Sequence, residues 1–286
     1  MKMIEHDNEI EITDISDFDL QKIFECGQCF RWNPELTRLN GTNKFCYIGI
    51  AHGRIIRMRQ TEKSIFISCS RNDFNSIWKD YFDLDRDYKT IRNKLCIDDF
   101  MLRATSFGEG IRILRQDKWE SLCSFIISQN NNIPRIKTII EALCREFGDP
   151  VKFENNIFYS FPPASKLAGL DIRDMVPVRC GYRAEYIINS AKMIADGTVD
   201  LNALSAGSPE SAGVELEKLH GVGSKVANCV ILFGLNMLDA FPLDVWMKRA
   251  LAEYYGPGFD PIVFKPYAGI AQQYIFHYIR NNSTNK

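Results

Sequence analysis

The hydrophobic rhythm of the chain changes about a third of the way along. Early on, short runs rich in β-branched and aromatic residues alternate with turn formers: CFRW (29–32), residues 45–60 and residues 64–70, separated by pairs such as Asn33-Pro34 and Asn40-Gly41. This pattern predicts an antiparallel sheet. Residues 72–81 follow with helical spacing, and DLDRDY (83–88) reads as a polar junction. From about residue 96 the apolar positions recur with helical periodicity. Asp117 and Glu120 have the spacing of a capping box, opening a helix that runs to Ser128. The asparagines at 130–132 interrupt it, and Pro134 suits the first turn of another helix ending near Gly148. Further helices fit 182–195, 209–218, 224–235, 245–254 and 267–280. The expected fold is α+β: an antiparallel β-rich domain over residues 1–95, then a helical domain over 96–286 with a helical hairpin at about 209–235.

Composition narrows the class without identifying it. Of the 286 residues 45% are hydrophobic and 12% aromatic, enough for real cores and against wholesale disorder. The acidic, polar start has neither the basic residues nor the apolar run of an export signal, and no apolar stretch is long enough to span a bilayer. A soluble monomer in a prokaryotic cytoplasm is expected. The nine cysteines are scattered and odd in number, which in that setting suggests reduced thiols. Cys26 and Cys29 form a CxxC pair but lack the second pair or nearby histidines of a zinc site. The net charge of −1 lends no support to nucleic-acid binding, so motifs must carry any such reading.

The most informative motif is LEKLHGVGSKVANC (216–229). One helix ends near Leu219, the chain turns through Gly221-Val222-Gly223, and another helix starts at once. Two glycines around an apolar residue permit positive φ and let a phosphate approach the backbone. The amides that open the second helix then form an anion site. The same glycines also fit a plain αα turn. Lys225 lies in the first helical turn, where the macrodipole disfavours a cation and partial burial would add to the effect. A nucleophilic lysine needs a neutral amine. Cys229 is one turn further along the same face. In DAFPLDVW (239–246), Pro242 stiffens the approach to Asp244, which falls at the N-cap of the next helix. An ionised carboxylate there either caps the helix or also stabilises positive charge developing on a sugar.

The span LHGVGSKVANCVILFGLNMLDAFPLDVW (219–246) resembles the helix-hairpin-helix signature of the DNA glycosylase superfamily. CGQCFRW (26–32), RILRQDKWESLCSFIISQNNNIPRI (112–136), CGYRAEY (180–186) and YAGIAQQYIF (267–276) are similar to the 8-oxoguanine DNA glycosylase branch. The resemblance implies a bifunctional enzyme of base excision repair acting on double-stranded DNA. Lys225 attacks the sugar C1′ and forms a Schiff base, β-elimination follows, and Asp244 is the catalytic aspartate. It also implies a TATA-box-protein-like N-terminal unit, with the lesion pocket between the domains.

Further roles follow from the same resemblance. The Gly27 carbonyl accepts the N7–H that oxidised guanine has and guanine lacks. Cys229 and Phe276 sandwich the flipped base, Gln272 reads its Watson–Crick edge, and Trp246 stands where many eukaryotic relatives have a histidine that contacts phosphate. Asn130 fills the gap left in the helix, Tyr182 wedges beside the partner base, and Arg135 and Arg183 bond the orphaned cytosine. A third arginine has no unambiguous counterpart, since Val176 and Arg179 both fall near it. The amides around Gly221 and Gly223 hold phosphate, and the carbonyls of Glu217, Leu219 and Val222 match those holding a monovalent cation in related hairpins. No cysteine follows Cys229, so the iron–sulfur loop of other superfamily members is not encoded. No cofactor is required by this reading. Two other readings are a passive helix-hairpin-helix DNA clamp, which needs neither Lys225 nor Asp244, and a monofunctional alkylbase glycosylase, which normally lacks the lysine.

Overall fold

A computed structural model describes residues 1–39 and 42–282; the Asn40-Gly41 turn expected from the sequence lies outside them. Among the described residues, six strands form one antiparallel sheet: β1 Lys2–His6, β2 Glu9–Thr13, β3 Trp32–Leu39, β4 Thr42–Ala51, β5 Arg54–Gln60 and β6 Ser64–Ile67, in the order β1-β2-β6-β5-β4-β3. Alternation along the strands buries Ile10 and Ile12 of β2, Ile56 and Met58 of β5, and Ile65 and Ile67 of β6. Helix α1 (Leu20–Glu25) lies between β2 and β3 in the chain. Its Phe24 stacks on Trp32 with ring centroids 4.1 Å apart, and the indole N–H of Trp32 donates to the Tyr81 hydroxyl at 2.9 Å. Trp32 pairs with Gly49 across the ladder, and a Cβ at Gly49 would lie 2.2 Å from the indole, so the bare glycine makes room for the ring.

Asn33-Pro34 departs from the sequence reading. It lies inside β3 rather than in a turn. β3 is the edge of the sheet, where a missing N–H leaves no ladder bond unmade. CFRW likewise contributes only its tryptophan to a strand. The helical stretch expected over 72–81 is present as α2 (Arg71–Asp73), a π-helical turn over Phe74–Trp78, and α3 (Lys79–Tyr81). DLDRDY is not a polar junction. Asp83, Leu84 and Tyr88 are buried, and Asp83 accepts from Arg86, Tyr88 and Arg115.

The rest is helical: α4 Tyr88–Leu95, α5 Asp99–Phe107, α6 Lys118–Ser128 and α7 Ile133–Phe147, then a small hairpin of β7 Pro150–Phe153 and β8 Asn156–Tyr159. After it come α8 Ala164–Ala168, α9 Arg183–Ala195, α10 Leu201–Leu204, α11 Pro209–Leu216, α12 Ser224–Phe233, α13 Val245–Tyr255 and α14 Ala268–Asn282. Asp117 caps α6 by accepting the Glu120 N–H at 2.8 Å. The reciprocal half of a capping box is not made, because the Glu120 carboxylate is buried toward Arg31, 3.9 Å away. No described helix is long and apolar enough to cross a membrane.

Two hydrophobic cores result, one under the sheet and one among the helices, with buried Arg112 at their seam donating to the carbonyls of Ser16, Asp17 and Asp83. The CGQC turn crosses the same seam: Cys26 belongs to the helical core and Cys29 to the sheet core. Burial pushes the Cys26 thiol up to about 11 and holds that of Cys29 well above the ordinary thiol range, so both are packing groups rather than thiolates.

Candidate active site

The hairpin turn between α11 and α12 needs one left-handed residue. Gly221 has φ +80°, and a Cβ there would sit 2.2 Å from the Tyr186 ring, so backbone and packing both exclude a side chain. Gly223 differs from the expectation: it is the N-cap of α12 with φ −97°. Nothing lies within 4 Å of where its Cβ would be, and α12 has no side-chain cap. The first-turn amides of α12 therefore keep their donors for an outside acceptor.

Lys225 and Cys229 follow on one face of α12. The Lys225 Nζ lies 6.0 Å from the Phe125 ring centroid, and Phe125 stacks on Phe233 at 5.4 Å. Burial pushes the Cys229 thiol up to about 11, with the neighbouring Lys225 opposing and the charge of Asp244 reinforcing the shift. At neutral pH Cys229 is a compact, uncharged thiol. Asp244 is the N-cap of α13, its Oδ1 accepting the Met247 N–H at 2.8 Å.

Lys225, Cys229 and Asp244 meet Gly27, Gln272 and Phe276 around one pocket. Gln272 comes from α14 and is 6% exposed, yet its Oε1 has no hydrogen-bond partner. Such a buried acceptor is costly unless a ligand completes it. Gly27 has φ +90°, and among the described residues no donor reaches its carbonyl. Phe125, Phe233 and Gln273 also line this pocket and escaped the sequence reading. Phe125 stood in a segment recognised for its asparagines, where an aromatic on a buried helix reads as ordinary core.

Trp246 is not part of the pocket wall. It is 59% exposed and lines a neighbouring groove that shares Asp244 and Phe276 with the pocket. A second group forms around the end of α6. Asn130, at φ +48°, donates to the Tyr182 hydroxyl at 3.4 Å. Arg183 is neither solvated nor free: it lies beneath the Tyr182 ring, 4.6 Å from its centroid, and donates to the carbonyls of Gln129, Asn130 and Cys180. Arg135 is exposed and donates to the Arg179 carbonyl at 2.9 Å, whereas Val176 is 69% exposed.

At the hairpin, no donor among the described residues reaches the carbonyl of Glu217 or Val222, and that of Leu219 accepts only the Val222 N–H at 3.0 Å. Among the described residues no cluster of His, Cys, Asp and Glu side chains could hold a metal.

Two family models divide the chain. That of the 8-oxoguanine DNA glycosylase N-terminal domain matches residues 11–122, and that of the HhH-GPD superfamily base excision DNA repair proteins matches residues 123–261. An N-glycosylase/DNA lyase of Saccharomyces cerevisiae is 31% identical over 84% of this chain and 69% of its own length. One from Arabidopsis thaliana is 29% identical over 85% of this chain and 67% of its own. The structure of Clostridium acetobutylicum 8-oxoguanine glycosylase/lyase, in complex with double-stranded DNA bearing cytosine opposite 8-oxoguanine, superposes with a TM-score of 0.90 at 34% identity, covering 99% of each chain. With its β-rich sheet, its hairpin and a pocket lined by Gly27 and residues of the helical core, this chain belongs to the 8-oxoguanine DNA glycosylase family of the helix-hairpin-helix superfamily.

Proposed function

We propose that the pocket takes up an 8-oxoguanine flipped out of double-stranded DNA and that Lys225 is the nucleophile that releases it. The chain is an N-glycosylase and DNA lyase of base excision repair. One observation carries the residue assignments: Gly27, Lys225, Cys229, Asp244, Gln272 and Phe276, spread over some 250 positions of sequence, line a single pocket. They supply a backbone acceptor, an amine, a carboxylate, an unpaired carboxamide and two faces for stacking.

In this reading the Lys225 amine adds to C1′ as the N-glycosidic bond breaks, and the bond's electron pair leaves with the base. The Asp244 carboxylate, one oxygen held by the helix cap, stabilises positive charge accumulating on the sugar. Ring opening gives a Schiff base to Lys225. Loss of a C2′ proton then expels the 3′ phosphate by β-elimination, and hydrolysis returns the lysine. Cys229 and Phe276 stack on the base, and Gln272 pairs with its Watson–Crick edge, which also suits the formamidopyrimidine form of guanine. Guanine N7, an acceptor, meets the Gly27 carbonyl without a proton between them and is rejected.

The first-turn amides of α12 would take a phosphate. The free carbonyls of Glu217 and Val222, with that of Leu219, suit a monovalent cation, which when bound would brace the turn and add positive charge to it. In this reading Asn130 and Tyr182 fill and wedge the gap left by the base and exposed Arg135 bonds the opposite cytosine, while Arg183, bonded to the carbonyls of Gln129, Asn130 and Cys180, would have to exchange one of these bonds to join it.

The test uses end-labelled duplexes carrying one 8-oxoguanine opposite each base in turn, with and without borohydride. Strand nicking and a borohydride-trapped adduct should both appear, and both should vanish in Lys225→Gln while lesion binding persists. Nicking retained by that variant would remove Lys225 from the mechanism. Binding with neither product in the unaltered protein would identify a passive clamp.

A further inference from the structure

Two adjacent glutamines on α14 face different tasks. Gln272 leaves its Oε1 unpaired in the pocket. Gln273, 2% exposed, has its Nε2 committed to the Cys26 carbonyl at 2.8 Å. That bond joins the last long helix to the CGQC turn, and its acceptor is the peptide immediately before Gly27.

The far side of Gly27 is held just as firmly. Gln28 is fully buried, and its Nε2 donates to the carbonyls of Ile23 and Arg112 at 3.0 and 2.7 Å. Its Oε1 accepts the Leu114 N–H at 2.9 Å, and its own carbonyl accepts from the Gln116 side chain at 2.7 Å. The carbonyls of Cys26 and Gln28 are thus both bonded, and the one between them, on Gly27, is left without a donor. Glycine at φ +90° has no side chain to restrain its peptide planes and more accessible rotations than any other residue. A carbonyl required to point one way from such a residue needs its neighbours held.

We propose that Gln273 is a positioning residue for lesion discrimination: by anchoring the Cys26 carbonyl it fixes the peptide plane before Gly27 and keeps the Gly27 carbonyl turned to the pocket. The proposal rests on the reading that this carbonyl accepts the N7–H of the oxidised base. Gln273 also borders the pocket, but its donor is already bonded to the backbone, so its part in discrimination runs through that carbonyl.

The experiment compares affinities in a Lys225→Gln background, which binds without cleaving. Duplexes carry 8-oxoguanine, 7-deaza-8-oxoguanine, which has no N7–H, or a tetrahydrofuran abasic analogue, each opposite cytosine. The parent should prefer 8-oxoguanine over its 7-deaza form by about tenfold, the scale of one hydrogen bond. Adding Gln273→Met, similar in volume but without a donor, should shrink that preference to within about twofold and leave abasic-analogue binding unchanged. With Lys225 intact, a thermal melt of Gln273→Met and its borohydride adduct at a preformed abasic site report whether fold and chemistry are retained. A preference that survives Gln273→Met overturns the proposal. A proportional loss of abasic binding and trapping also overturns it, making Gln273 a general support of the fold. A parent that does not distinguish the two bases defeats the Gly27 reading itself, and the proposal with it.

Discussion

Gln129 donates its side-chain amide to the Gly221 carbonyl at 3.0 Å, joining two loops 92 residues apart. Gln129 is also the residue at which α6 ends, and its own carbonyl accepts from Arg183. The hairpin turn and the asparagine loop are therefore tied to each other through Gln129.

Gln129→Leu keeps the side-chain bulk and removes the bond. We expect a stability loss of about 1 kcal/mol, the net worth of one neutral hydrogen bond. Affinity should fall several-fold for damaged and undamaged duplexes alike, because the coupling serves the backbone contact rather than the lesion. Thermal melts and fluorescence anisotropy measure the two effects. A loss confined to the lesion duplex would show that the bond acts on the pocket instead.

The two hairpin glycines separate folding from binding. At Gly221 an alanine meets the Tyr186 ring and a disfavoured φ, so Gly221→Ala should destabilise the protein by about 2–4 kcal/mol. At Gly223 the backbone is ordinary and the space open. Gly223→Ala should cost no more than about 1 kcal/mol, since alanine is the poorer N-cap, yet bind all duplexes more weakly, since its methyl stands where a phosphate would approach. Equal binding by Gly223→Ala and the parent would move the phosphate site elsewhere.

Asp244→Asn tests whether the carboxylate does more than cap α13. Asparagine caps nearly as well as aspartate, so the bond to the Met247 N–H should survive and stability should change little. The charge is lost, and single-turnover base release should slow by about 10²–10³-fold, in the range found for removal of one transition-state stabiliser. If release slows only as far as a measured drop in stability explains, Asp244 is a structural cap.

Part of this site was legible because its chemistry is local in sequence: Lys225 and Cys229 are four apart on one helix, and Asp244 follows Pro242 at a helix start. Gln272 and Phe276 entered only through the resemblance to the glycosylase family, since one polar and one apolar residue four apart on a helix read as surface and core. The supports were not legible, because each is a bond to backbone far away in the chain. Gln273 reaches Cys26, Gln129 reaches Gly221, and no periodicity marks either side chain. The fold shows the same division. The longer helices from α6 onward follow their apolar spacing, whereas the short α8 and α10 are too brief to show a period and β1 and β2 were hidden by their charges, although Glu9-Ile-Glu-Ile12 already alternates. Pro34 misled for a related reason: a residue that ends a central strand is harmless on an edge, and the order of strands is a tertiary fact.

Glu120 gives a pH-dependent prediction that is independent of DNA. Burial raises its carboxyl to about 7, against the pull of Arg31 at 3.9 Å and with some help from Asp117. A folded value above the unfolded one means that folding favours the neutral acid. The stabilisation from this group is complete below about pH 4.5 and is lost as pH rises through about 7. Glu120→Gln keeps the uncharged form at every pH. Its stability should match the parent near pH 4.5 and exceed it by about 1–3 kcal/mol at pH 8, as the linkage of a shift of this size requires. Denaturant titrations of both proteins at the two pH values measure the difference directly. If the variant is instead the weaker protein at pH 8, the ionised Glu120 is holding the buried Arg31, and the pair outweighs the cost of burying the charge.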